Sequence, residues 1–78
     1  MNSKANILER WKWQIENSNY LWKCQAQIIY NTIKNNTIEK AIEILKEDYK
    51  KYSRMACSGF TKIAIDELEE LQMEPIPP

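Results

Sequence analysis

The chain has no histidine, a single glycine and two cysteines, and its three prolines are Pro75, Pro77 and Pro78. Without histidine it lacks the side chain that most often moves protons near neutral pH and most often ligates metals. One glycine cannot build the glycine-rich loop that cradles a phosphate. Cys24 and Cys57 stand 33 residues apart with no imidazole between them, which fits neither a disulfide scaffold nor a zinc pattern. They read as free thiols packed as small apolar side chains. No enzyme, cofactor or metal site is expected from this inventory.

Long apolar runs are missing too. None exceeds three residues, too short for a membrane span or a signal-peptide core. The expectation is a cytoplasmic protein with no membrane partner. Neither charge predominates, because 11 basic residues balance 11 acidic ones, so no net field steers the molecule toward nucleic acid. A chain of 78 residues has room for one domain, whose core supplies only about 3–5 kcal/mol. Self-association or a partner is therefore expected to complete it.

With so little turn chemistry, nearly everything present reads as helix. Residues 1–73 are expected to form a single helical domain, followed by a Pro-rich tail over 74–78 that cannot remain helical. Asn2 or Ser3 can cap the first helix. Leu8, Trp11, Ile15, Trp22, Ala26, Ile29 and Ile33 then fall within roughly 60° of one another at about 100° per residue, with Ile7 at the edge. That phase is unchanged across Asn17, Ser18 and Asn19, so one helix of about 30 residues is predicted, with a break at 17–19 as the alternative. Asn36 and Glu39 read as a capping box that starts a second helix. It buries Ala41, Ile42, Leu45, Tyr49, Tyr52 and Ala56, while Glu39, Glu43 and Glu47 follow one another at repulsive four-residue spacing and Glu47 faces Lys51. At Gly59 the stripe shifts by roughly 80°, so the helix kinks there or stops, with Ser58 or Thr61 capping a short third helix through Phe60, Ile63, Ala64, Leu68 and Leu71. The fold class is thus all-α: an antiparallel helical hairpin with a third short helix, open to completing a bundle by dimerisation.

Three surfaces are left over. Trp13, Tyr20 and Cys24 form a second stripe at i, i+7 and i+11 on the far side of the first helix, and something must cover it: the third helix, a second copy or another protein. Lys46, Lys50, Lys51 and Arg54, with Lys34 and Lys40, offer a basic strip for phosphates, although cations near a helix C-terminus also serve the helix dipole. Asp66, Glu67, Glu69, Glu70 and Glu74 read as a solvated acidic face rather than a cation site.

The leading expectation is a small regulatory or inhibitory module, with a phage or mobile element as its expected source, that binds a larger protein through Trp13, Tyr20 and Cys24 and forms homodimers. The alternative is a helical dimer that binds nucleic acid through Lys46, Lys50, Lys51 and Arg54.

Overall fold

The computed structural model describes residues 3–73; the Pro-rich tail lies outside them. Among the described residues the chain forms four helices: α1 (Lys4–Asn17), α2 (Tyr20–Asn35), α3 (Ile38–Tyr52) and α4 (Ser58–Met73). The all-α architecture of antiparallel hairpins is as read from the sequence. The number of helices differs because the first long segment divides.

The division falls at Ser18 and Asn19, both in extended geometry with ψ of 159° and 169°. Polar side chains end α1 by taking up its last backbone and side-chain groups. The Asn17 amide donates to the Trp13 carbonyl at 2.8 Å, the Ser18 N–H donates to the Gln14 carbonyl at 2.9 Å, and the Ser18 hydroxyl donates to the Gln14 side chain at 3.0 Å. A two-residue connection returns α2 antiparallel along α1. Lys4, at the start of α1, reaches the Asn36 carbonyl past the end of α2 at 2.7 Å and fixes that alignment. Phase was a poor guide here because a stripe that is continuous in one helix also faces itself when the helix folds back.

The second boundary is one residue later than the capping-box reading. Thr37 caps α3 by accepting from the Lys40 N–H at 3.2 Å. Asn36 instead closes α2, donating its amide to the Thr32 carbonyl at 2.8 Å. The third boundary precedes Gly59: α3 stops at Tyr52, residues 53–57 turn, and Ser58 opens α4 while donating to the Ser53 carbonyl at 3.2 Å.

Alternating direction places the 18–19 and 53–57 turns at one end of the bundle, so α2 and α4 start together and run the same way. Trp22 and Phe60 meet there edge to face at 4.6 Å, and Phe60 meets Trp11 at 5.3 Å, joining α1, α2 and α4. Such ring pairs contribute about 0.5–1.5 kcal/mol each beyond their burial.

The core below this aromatic cluster is aliphatic. Ile7, Ile29, Ile33, Leu45 and Leu68 are completely buried, with Ala26, Ala41 and Ala64 where helices approach most closely. The predicted core faces of α2 and α3 hold away from the turn end, at Ala26, Ile29, Ile33, Ala41, Ile42 and Leu45, and that of α1 holds at Trp11. Tyr52, Ala56 and Ile63, read as core, are exposed, because the turn at 53–57 rotates α4 so that Thr61 and Ile65 point inward instead.

Candidate binding surfaces

Trp13, Tyr20 and Cys24 do not form one stripe. The break assigns Trp13 to α1 and Tyr20 and Cys24 to α2. All three are exposed, Tyr20 most at 82%, so of the three covers open to them the one by the last helix is not made. Cys57 is buried and both thiols are free.

The basic strip is likewise divided. Lys46 pairs with Glu69 of α4 at 3.4 Å, Lys40 with Glu43 at 3.7 Å, and Lys34 sits over the Tyr30 ring at 5.7 Å. Helix α3 itself carries Glu39, Glu43, Glu47 and Asp48 against four lysines, so its length presents no basic face. Lys50, Lys51 and Arg54 remain together at its C-terminal end, with Lys51 over the Tyr52 ring at 5.6 Å.

The acidic residues of α4 are mostly engaged with cations. Glu67 accepts from Arg10 and from the Trp11 indole, Glu69 pairs with Lys46, and Asp66 accepts from Lys62 at 3.0 Å. That hydrogen bond, and then the charge of the same carboxylate, raises the Lys62 ammonium above its usual pKa. Among the described residues no acidic or thiol cluster could hold a metal ion.

Folding creates a concavity that periodicity did not disclose. Between α2, α3 and the 53–57 turn lies a cleft of about 330 Å³, lined in part by Ile28, Tyr49, Tyr52, Met55 and Cys57. On its polar floor the Gln25 amide donates to Thr61 Oγ1 at 2.5 Å and to Asp48 at 3.2 Å. The lip is apolar and open, with Ile28 51% and Tyr52 and Met55 each 47% exposed. Ile28 was visible in the sequence only as an apolar residue off the buried stripe, beside Ile29. Met55 belongs to no period at all, and only the turn brings it to the cleft.

Exposed apolar groups are unevenly placed along the bundle. Among the described residues nine large apolar side chains are exposed: Trp13, Tyr20, Leu21, Tyr52 and Met55 fall in segments 13–24 and 48–62, which flank the paired turns, Ile28, Ile44 and Ile63 lie outside them, and Met73 is at the far end of α4. The same two segments carry five basic residues against Glu16 and Asp48, a net charge of +3, and the remaining described residues sum to −2. The molecule is about 44 Å long, so the charges are well separated along its axis.

No helix of the described residues is long and apolar enough to cross a membrane. The chain matches no protein-family model, no curated protein and no solved structure.

Proposed function

We propose that this protein is a non-catalytic binding module that regulates a larger protein by occupying part of its surface, and that an apolar-faced helix of that partner seats in the α2–α3 cleft. The observation that carries this reading is the state of the cleft's polar groups. The Gln25 amide is engaged by Asp48 and Thr61, and the most open part of the lining is the largely apolar lip of Ile28, Tyr52 and Met55. Small-molecule sites rely on a few convergent polar groups that remain available to fix orientation. An apolar anchor from a helix lying between two antiparallel helices needs none.

Nucleic-acid binding is the weaker reading, since acidic side chains alternate with the lysines of α3 and Lys46 is paired. A symmetric dimer through the turn end would oppose two charges of +3.

The test is affinity capture from cells of the source organism after nuclease treatment, with a photo-crosslinking residue at Met55. Parent, Ile28→Ser with Tyr52→Ala, and Lys34→Ala proteins are compared. One protein crosslinked at Met55, captured by the parent and Lys34→Ala but lost with the cleft variant, supports the reading. Recovery of nucleic acid alone, or capture indifferent to the cleft variant, refutes it.

A further inference from the structure

We propose that the end of the bundle carrying the two turns docks on an anionic lipid bilayer. The neutral total charge of the sequence gives no hint of this. Folding brings Lys23 of α2 to the end where Lys50, Lys51 and Arg54 lie, and the Trp22–Phe60 contact at 4.6 Å is what places the two turns side by side. Trp13, Tyr20 and Leu21 stand out around the first turn with 59%, 82% and 58% of their surface exposed.

Aromatic side chains with an apolar body and a polar tip favour the headgroup level of a bilayer, and leucine favours the acyl boundary beneath it. Basic residues near an anionic leaflet gain about 1 kcal/mol each, within a Debye length of the surface. The turn end of the bundle carries residues suited to both kinds of attraction. An acidic protein or a nucleic acid would satisfy the cations, but it would leave no comparable use for a tryptophan, a tyrosine and a leucine exposed near the same turn. A second copy would bring cations against cations.

The experiment is co-sedimentation of the intact protein with large vesicles of phosphatidylcholine, with and without phosphatidylglycerol. Tryptophan emission is recorded alongside, with brominated lipid as quencher. Binding is expected only with phosphatidylglycerol, weakening as salt is raised. Trp11 is buried and Trp22 is half-buried against Phe60, so Trp13→Phe should bind while losing the share of the quenching that the exposed Trp13 contributes. Charge reversal of Lys50, Lys51 and Arg54 together should lower the partition coefficient on the order of a hundredfold. Trp13→Ser with Tyr20→Ser and Leu21→Ser, whose retained helicity is checked by circular dichroism, should lower it about tenfold or more. Equal binding to neutral vesicles, absence of quenching in the parent, or binding unaffected by the serine variant would overturn the proposal. So would equally tight binding to an oligonucleotide or polyglutamate that the serine variant retains, since that pattern is charge attraction without insertion.

Discussion

The Trp11 indole N–H donates to Glu67 Oε1 at 3.0 Å, across 56 positions of sequence. The other carboxylate oxygen of Glu67 accepts from Arg10. One side chain of α4 therefore clasps α1 through two neighbours, one almost completely buried and one half in water.

Glu67→Gln retains an acceptor for the indole and loses an ion pair whose arginine is 49% exposed, so it should cost less than about 1 kcal/mol. Glu67→Ala leaves the indole N–H without its partner and should cost about 1–3 kcal/mol. Thermal unfolding by circular dichroism separates the two, since 1 kcal/mol shifts Tm by about 4–8 °C in a domain of this size. Equal losses in both variants would show that the ion pair, not the indole hydrogen bond, is what matters.

Replacing Ser18 and Asn19 together by alanine should convert the hairpin into an open form. The apolar residues on either side keep one helical phase, and alanine removes the Ser18 hydroxyl that bonds Gln14 and raises the helix propensity of both positions. The fused helix cannot pack on itself, so α1 is expected to exchange between two chains in a domain-swapped dimer. Light scattering after size exclusion would show the mass double, while helicity stays or rises. A monomer with unchanged stability would show that the turn is held by tertiary packing alone.

Gly59→Ala should stabilise the fold by up to about 1 kcal/mol. Gly59 lies in the first turn of α4 without a positive φ, and an added Cβ would make ordinary van der Waals contact with the Trp22 ring at 3.8 Å. The gain comes from restricting the unfolded chain. A higher midpoint in urea with an unchanged slope is the expected result.

Leu68→Ala removes a side chain with no exposed surface and should cost about 2–5 kcal/mol, comparable to the whole stability of a core this small. Loss of cooperative unfolding at room temperature is the expected readout. Thr61→Val, at a site 1% exposed, keeps the shape but removes the acceptor for Gln25, and should cost about 1 kcal/mol because Asp48 still receives the same amide.

Much of this architecture is legible in the chain itself. Local preferences and the 3.6-residue period act over a few turns, so the helical content, the stripes through Trp11, Ala26, Ile29 and Ile33, and the interruption after Asn35 follow from neighbours in sequence. The same short range explains the misplaced boundaries. Asn36 and Thr37 are both good caps, and the choice between them rests on which carbonyl Asn36 serves.

What only the tertiary structure decided is how those pieces use one another. A stripe continuous through Ser18 is compatible with one helix or with two folded face to face, and the outcome depends on which arrangement covers the apolar surface with the chain available. Ile28, Tyr52 and Met55 form a cleft, and Lys23 joins Lys50, Lys51 and Arg54, because two hairpin turns end side by side. Packing between distant segments fixes those neighbourhoods, and the order of residues along the chain records neither.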